Sequence, residues 1–473
     1  MTGLLAFFVP LLAGWFLAHA ALAGRRIRPD WAGLMFEAAL GLGAGIAISS
    51  IAFFLLTLAG AALPAVILAL DAALLAAGLF AFWRTRRTAG GPAEPAAPPL
   101  FRWNWLLALA LAAGSVLVLY GLVSVSAANP HGEWDAWSIW NLRAKFLAAP
   151  GDAWRGALSP LAEKAGMHPD YPLLLSGFVA MVWKSAGDTS PWVPQLTGFL
   201  FLALVAALLG SALTALRSLT SGLTAGLVLL SSTSFLFLAT MQYADLPLSF
   251  YCLASIALLL LAESVPAGLA LSGAFASFAA WTKNEGLAFA VLLTLATLAV
   301  EWRAAGLRNA IDRSRRFLTG AAPVLLLVIC FKLFLAPASE PLFQQGAAGL
   351  THKLADPARY AQIGKAMIAE LYHFGLPWSH PLLLLAILAL TLRFRIDANQ
   401  ARALRTTTVA LALVFMAYCG VYLVTPSDLA WHLQTSLPRL YGQLWPSVLL
   451  LVFLTLNIPA ASAARKPAER GRK

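Results

Sequence analysis

The chain has 473 residues, of which 60% are hydrophobic and 11% are charged. A water-soluble core cannot absorb so large an apolar fraction when it falls in long runs rather than in the period of amphipathic elements. The formal charge of +12 would suit nucleic acid, but a membrane protein carries such an excess in its cytoplasmic loops, so we expect no nucleic-acid partner.

Long apolar runs predict membrane helices along most of the chain. They include residues 4–22, 38–58, 196–216 and 317–335. Each is close to the ~20 residues that cross ~30 Å of hydrocarbon. The first run ends in Ala21-Leu22-Ala23, which resembles a cleavage site. Because no basic residue precedes that run and arginines follow it directly, we expect a retained span.

Clusters of basic residues set the predicted topology. They lie at residues 25–28, 84–87, 303–316, 393–405 and 465–473. Such clusters stay in the cytoplasm, which places the N-terminus and the loop after residue 125 outside. We therefore predict an all-α polytopic membrane protein with about thirteen transmembrane helices and a cytoplasmic C-terminus.

One apolar segment, residues 171–187, does not fit this count as a span. It is interrupted by Pro172 and Gly177 and carries Lys184, which favours a juxtamembrane or re-entrant helix.

The predicted domains are three leading helices (1–88), a cytoplasmic Pro/Ala/Gly linker (89–102), a core (103–336) with a large outer loop (126–191), a C-terminal part (337–458) with outer loops at 337–378 and 425–440, and a basic tail (459–473).

The outer loop opens with HGEWDAWSIW, residues 131–140. Glu133 and Asp135 lie there just beyond the predicted membrane surface, where a carboxylate near a lipid-borne phosphate serves as a general base or a metal ligand. Trp134, Trp137 and Trp140 suit the headgroup layer. Acidic and aromatic residues also decorate the outer ends of ordinary spans, so this alternative stays open.

Further candidates follow in the same loop. Arg143 comes first, and the motif HPDYP then places His168 and Tyr171 before the apolar segment. A long loop with structure of its own suggests function. We count Arg143, His168 and Tyr171 as candidate substrate-binding residues.

Three more polar positions lie at later outer edges. Asp245 opens a helix in YADLPL, either as a cap or as a supporting acid. Lys283 and Glu285 share the polar corner WTKNEG, which an ordinary hairpin turn also explains. Arg439, before the last helix, either binds a phosphate bidentately or snorkels to the interface.

The order of these parts resembles the GT-C superfamily of integral-membrane glycosyltransferases. That superfamily includes the protein O-mannosyltransferases (bacterial family 39-like), the lipid A aminoarabinose transferases and the catalytic subunit of oligosaccharyltransferase. The resemblance covers residues from about 103 to 456. Asp135 in EWDAW matches the family's acid in the first outer loop, HPDYP is similar to its proline motif, and YADLPL is similar to its later aspartate. The segment RLYGQLWP, starting at Arg439, is similar to the family's Arg-Tyr-Leu-x-x-Pro signature but departs from it.

The resemblance implies an inverting-type transferase at the outer face of a bacterial inner membrane. It would pass a sugar from a polyprenyl-phosphate donor to a lipid, glycan or protein acceptor, with membrane lipids around it. Asp135 would be the catalytic base, supported by Glu133 and Asp245, and Lys283 and Arg439 would bind the donor phosphate. A divalent metal, Mg or Mn, held by Asp135, Glu133 and His168 is left open.

Two other classes of function also stay open. A transporter or flippase of a lipid-linked or small solute would keep ionisable residues inside the membrane, where Glu37, Asp71 and Lys332 are the candidates. A glycan polymerase or ligase would use the same lipid-linked sugars, and the late outer loop at residues 337–378 fits that class.

Overall fold

The structure is a computed structural model that describes residues 1–22, 31–88, 102–337 and 346–458. The helices in these ranges are α1 (Thr2–Leu22), α2 (Trp31–Leu58), α3 (Pro64–Thr88), α4 (Arg102–Ala128), α5 (Asn141–Ala148), α6 (Pro160–Lys164), α7 (Leu174–Ala186), α8 (Trp192–Leu216), α9 (Leu219–Leu230), α10 (Thr233–Met241), α11 (Asp245–Leu260), α12 (Gly268–Thr282), α13 (Asn284–Ala305), α14 (Leu307–Phe334), α15 (Gly346–Ala355), α16 (Pro357–His373), α17 (Pro381–Thr391), α18 (Ala398–Val424) and α19 (Leu429–Thr455). A π-helical turn, Ala136–Trp140, precedes α5, and 3-10 turns occupy Gly151–Leu158 and Pro377–Ser379.

Two of the predicted segments fall outside these ranges. The linker at residues 89–102 is described only at Arg102, where α4 begins, and the basic tail at 459–473 lies wholly outside the described residues. The basic cluster at 25–28 also lies wholly outside them, as do residues 338–345 of the late outer loop predicted at 337–378.

The described helices make an all-α polytopic membrane protein. Nine of them are long and apolar enough to cross a membrane, and the number reaches eleven if each of two bent pairs is one span. The bends are 70° between α9 and α10 and 79° between α16 and the segment that contains α17. The helices α7, α11 and α12 are apolar but shorter. The number of about thirteen crossings stays a prediction.

The helix α7 is shorter than a full membrane span. Its 13 residues extend about 20 Å, against the ~30 Å of hydrocarbon in a bilayer. Nearly all of them are buried, and α7 packs against α1, α2 and α5. This length agrees with the prediction that residues 171–187 do not cross the membrane.

The helix α11 forms the centre of the bundle. All 16 of its residues are buried, and its main neighbours are α8, α12 and α19. A helix that is apolar all round is stable only inside a protein or a membrane. The Tyr251 hydroxyl donates a 2.9 Å hydrogen bond to the Gly43 carbonyl oxygen and ties α11 to α2. Because Asp245 is the first residue of α11, the central helix points its N-terminal end at the candidate site.

The three leading helices pack onto this core. At Gly14, an added Cβ atom would lie 2.1 Å from the Gly41 carbonyl oxygen, so only glycine permits this approach of α1 to α2. His19 Nδ1 lies 2.7 Å from Glu37 Oε2 and joins the same two helices. Through its contacts with α7 and α8, α2 connects the leading helices to the rest of the bundle.

The segment predicted as the outer loop at residues 425–440 is helical over most of its length. The last helix, α19, begins at Leu429, and Asp428 caps it by accepting a 2.8 Å hydrogen bond from the Trp431 backbone N–H. Pro438 lies inside the helix, which membrane helices tolerate because neighbours satisfy the freed backbone groups. Arg439 is therefore a helix residue rather than a loop residue.

The predicted sidedness can be tested with single cysteines. In a background without Cys252, Cys330 and Cys419, we expect Asp188→Cys, in the exposed turn after α7, to react with a membrane-impermeant maleimide in intact cells. Ala305→Cys, exposed at the end of α13, should react only after permeabilisation. The opposite labelling pattern would overturn the topology.

Candidate functional site

Two ion pairs meet at the end of the bundle that the charge distribution predicts to face outside. Arg439 Nη1 forms a short contact with Asp135 Oδ2. Lys283 Nζ lies 3.0 Å from Asp245 Oδ1 and 2.9 Å from Glu285 Oε1. The two pairs are electrostatically coupled, because Arg439 interacts with Asp245 as well as with Asp135. Residues far apart in the sequence thus form one charged cluster.

Asp135 is placed by the close docking of its loop on the turn between α10 and α11. Gly132 has a positive φ of 72°, and an added Cβ would lie 2.6 Å from the Met241 carbonyl oxygen. The Asp135 backbone N–H donates to the Tyr243 hydroxyl at 3.2 Å, and the Tyr243 ring lies 5.2 Å from the Arg439 guanidinium. The π-helical turn follows directly, and such turns are frequent at functional sites.

Asp245 does not cap α11. The N-cap residue is Ala244, and no side chain caps that end of the helix. The Asp245 carboxylate instead binds Lys283, the single residue between α12 and α13. It also accepts a 2.5 Å hydrogen bond from Gln443 Nε2, whose Oε1 accepts one of 2.6 Å from the Tyr418 hydroxyl.

The helix α19 links the two ion pairs. Arg439 and Gln443 are four residues apart, so they lie on one face of the helix, one turn from each other. Gln443 binds Asp245 and Arg439 binds Asp135. Sequence reasoning missed Gln443 and Tyr418, although a polar side chain in an apolar membrane run is itself a functional signal.

Exposure to solvent differs sharply between the two pairs. The side chains of Asp135 and Arg439 are 19% and 17% exposed, whereas those of Asp245 and Lys283 are 1% and 4% exposed. A solute can therefore reach the Asp135 carboxylate but not the Asp245 carboxylate. The first pair is suited to chemistry and the second to positioning.

Three aromatic rings form a stack beside the charges. The rings of His168 and Tyr171 are 4.8 Å apart with an interplanar angle of 12°, and those of Tyr171 and Trp140 are 5.6 Å apart with an angle of 16°. Trp140 is buried within the protein, whereas Trp134 and Trp137 are exposed. Burial raises the pKa of the Tyr171 hydroxyl, which keeps it neutral. This set, Trp140, Tyr171 and His168, is the aromatic stack.

His168 forms the outer end of the aromatic stack under backbone strain. Its φ of 47° lies in the left-handed region, which is unfavourable for most residues other than glycine. Its side chain is 53% exposed. Such strain persists only where the surrounding structure enforces it, and it is common in ligand clamps.

The loop that carries the stack is held from three directions. Asn284 Nδ2 donates to Asp170 Oδ2 at 2.7 Å, and Lys332 Nζ donates to the Asp170 carbonyl oxygen at 2.6 Å. Arg143 donates to the Tyr171 carbonyl oxygen at 2.7 Å. Arg143 is fully buried, and burial lowers its pKa to about 10, so it stays cationic at neutral pH. Its placement does not support the substrate-binding role predicted from the sequence and assigns it to positioning the loop.

Glu133 forms no ion pair with the charged cluster in the part of the chain that the structure describes. It is exposed and accepts a 3.2 Å hydrogen bond from Asn129 Nδ2. Across the described ranges, no three His, Cys, Asp or Glu side chains come together as a metal-binding group. Asp135, Glu133 and His168 therefore do not fit the Mg or Mn site considered from the sequence, and we derive no step through a metal.

In comparison with known proteins, no family model, no curated protein and no solved structure matches this chain. The fold defines a multi-pass, all-α membrane protein. Its most concentrated polar chemistry within the described residues is the Asp135, Arg439, Asp245, Lys283 and Glu285 cluster.

The buried pair should dominate the stability of the site. Lys283→Met leaves the Asp245 carboxylate buried without its cation, which costs about 3–5 kcal/mol. We expect a lower midpoint of thermal unfolding in detergent. The exposed Lys145→Met variant is the matched control and should unfold like the parent protein.

Removing both charges provides a second comparison. The double variant Lys283→Met/Asp245→Asn should recover part of the lost stability, because no unpaired charge remains in the interior. Equal unfolding midpoints for Lys283→Met and Lys145→Met would contradict this account of the pair.

Proposed function

We propose that the protein is an inverting-type glycosyltransferase that uses a polyprenyl-phosphate sugar as donor. The acceptor is a hydroxyl group of a lipid, glycan or protein at the outer face of a bacterial inner membrane. The observation that carries the proposal is the accessible Asp135–Arg439 pair at one end of a membrane bundle. A base and an anion-binding cation lie together where an amphipathic donor would place its phosphate.

Arg439 is the proposed ligand for the donor phosphate. Its guanidinium suits bidentate binding of phosphate oxygens, and its buried Nε has no hydrogen-bond partner among the described residues. Before the donor binds, Asp135 occupies Nη1. A phosphate that takes over the guanidinium releases the Asp135 carboxylate, so donor binding prepares the base.

The reaction is then a single displacement. The acceptor oxygen attacks the anomeric carbon while its proton passes to Asp135, and the bond from that carbon to the phosphate oxygen breaks. The electron pair leaves with the polyprenyl phosphate, whose increased negative charge is stabilised by Arg439 and by the potential of buried Lys283. One displacement inverts the configuration of the anomeric carbon.

The remaining side chains have supporting roles in this proposal. Asp245 and Glu285 hold Lys283 in place. His168 offers its exposed ring face to the sugar, with Tyr171 and Trp140 stacked behind it. Glu133, which is outside the cluster, is not required for the displacement.

Asp135→Asn separates binding from chemistry. We expect transfer from a panel of radiolabelled polyprenyl-phosphate sugars, measured with purified protein in bilayers, to fall about 10²–10⁴-fold, because the base is lost. Donor binding should be retained or tighter, because Asp135 no longer competes for Arg439.

Two variants make this experiment decisive. Glu133→Gln should keep its activity, and Arg439→Gln should lose donor binding. Full activity in Asp135→Asn would reject Asp135 as the base, and transfer of long preassembled glycans rather than single sugars would indicate a ligase instead.

His168→Asn tests the sugar contact. Asparagine tolerates the left-handed backbone but removes the ring, so we expect KM for the donor sugar to rise about tenfold, equivalent to about 1.4 kcal/mol, at nearly unchanged kcat. Steady-state kinetics provide the measurement. A loss of kcat at unchanged KM would show that His168 acts in the chemical step instead.

A further inference from the structure

A groove between α1 and α3 contains a carboxyl group without a partner. The groove encloses about 370 Å³ and is lined by apolar side chains of both helices together with Asp71, among them Leu5, Val9, Leu68, Leu75 and Leu79. Asp71 is 2% exposed. Its Oδ2 atom is buried and makes no hydrogen bond to any described residue.

The groove opens to lipid, and Asp71 lies in the half of the membrane predicted to face outside. Asp71 is about 10 Å from the start of α3 at Pro64, and Leu5 and Val9 lie in the first turns of α1. Leu5 and Leu79 are 46% and 44% exposed, so the groove is accessible from the side of the bundle. From Leu68 to Leu79 it extends about 16 Å along α3.

The fold itself does not account for Asp71. Other ionisable residues in the apolar runs have partners in this structure: Glu37 lies 2.7 Å from His19, and Lys332 binds the Asp170 carbonyl oxygen at 2.6 Å. An unsatisfied carboxyl in an apolar environment costs several kcal/mol. The default interpretation of such a residue in a membrane helix is functional.

The two helices are in close contact deeper in the membrane. At Gly78, an added Cβ would lie 3.0 Å from the Ala13 carbonyl oxygen. The groove is therefore a gap toward the outer ends of α1 and α3. The Asp71 carboxyl lies nearer its outer end, and apolar side chains line the remainder. This polarity matches that of an amphiphile in the adjoining leaflet.

We propose that the groove binds a single-chain amphiphile whose head donates a hydrogen bond to Asp71. The donor is a hydroxyl or an ammonium group, because the Asp71 carboxyl offers an acceptor oxygen whether or not it carries a proton. The hydrocarbon chain lies along α3 toward Leu79. The site is separate from the Asp135–Arg439 pair, and its occupancy does not depend on glycosyl transfer.

A hydrophobic carbodiimide probes the carboxyl directly. An oxygen of the Asp71 carboxyl bonds to the central carbon of dicyclohexylcarbodiimide, and the carboxyl proton moves to one of the reagent's nitrogens. The acyl group then migrates from oxygen to nitrogen and gives a stable N-acylurea. We expect peptide mass spectrometry of treated membranes to find this adduct on Asp71 and not on the same peptide of Asp71→Asn. Absence of the adduct from the parent protein would overturn the proposal.

Competition identifies the head group. The probes with donor heads are tetradecanol and N,N-dimethyltetradecylamine, whose protonated tertiary amine donates a hydrogen bond but forms no stable amide with the activated carboxyl. Tetradecane has the same chain and no donor. The proposal is supported if at least one of the two donor probes removes most of the Asp71 labelling and tetradecane does not. Which of the two protects Asp71 distinguishes a hydroxyl from an ammonium ligand. Equal protection by tetradecane, or no protection by any probe, would overturn it.

Filling the groove provides a test that keeps the carboxyl. Ala76→Trp places a large ring in the groove and should reduce labelling of Asp71, whereas Ala77→Trp, exposed on α3 but not lining the groove, should not. Equal labelling in the two variants would contradict the location of the site. The readout is independent of sugar transfer, so it stands or fails separately from the proposed transferase.

Discussion

The buried pair of Asp245 and Lys283 constrains the whole functional end of this protein, because a charge removed from water is costly unless it is paired. Glu285 and Gln443 add contacts to this pair, while Asp245 Oδ2 makes no hydrogen bond within the described residues. The start of α11, the corner between α12 and α13, and one face of α19 must therefore meet at one point. Since Arg439 is one helical turn from Gln443, the same constraint brings a second cation to the surface, where it meets Asp135.

The two ion pairs of the cluster differ in their exposure to solvent. The inner pair is closed to solvent and contributes position and electrostatic potential, while the outer pair is open to a ligand. In the structure the accessible cation and the accessible carboxylate neutralise each other. In the proposed mechanism an anionic ligand must compete with Asp135, and this competition would couple phosphate binding to the release of a base.

The loop above the charges is unusually well anchored for a segment outside regular helices. Arg143 binds its backbone from below, and Asn284 and Lys332 hold Asp170 from α13 and α14. These contacts enforce the strained backbone of His168 and present its ring at the edge of the site. The leading helices contribute differently: they support α7 beneath this loop and form, between α1 and α3, the groove that contains Asp71.

The sequence by itself determined the class of protein, the approximate position of most long helices and the short helix within residues 171–187. Hydropathy and helix length are properties of neighbouring residues, so they can be read locally. The motifs also pointed to Asp135, Asp245, Lys283 and Arg439, because polar residues at the ends of apolar runs stand out. Which of them form pairs, however, was not visible in any single segment.

Only the tertiary structure decided those pairs, the burial of Trp140 and Arg143, and the contributions of Gln443 and Tyr418. It also moved the start of the last helix to Leu429 and showed that Glu37 and Lys332 have partners while Asp71 has none among the described residues. Asp135 and Arg439 are separated by 304 positions. Their contact depends on how helices pack against one another, and in lipid that packing follows from shape and polar pairing between distant segments rather than from local hydrophobicity.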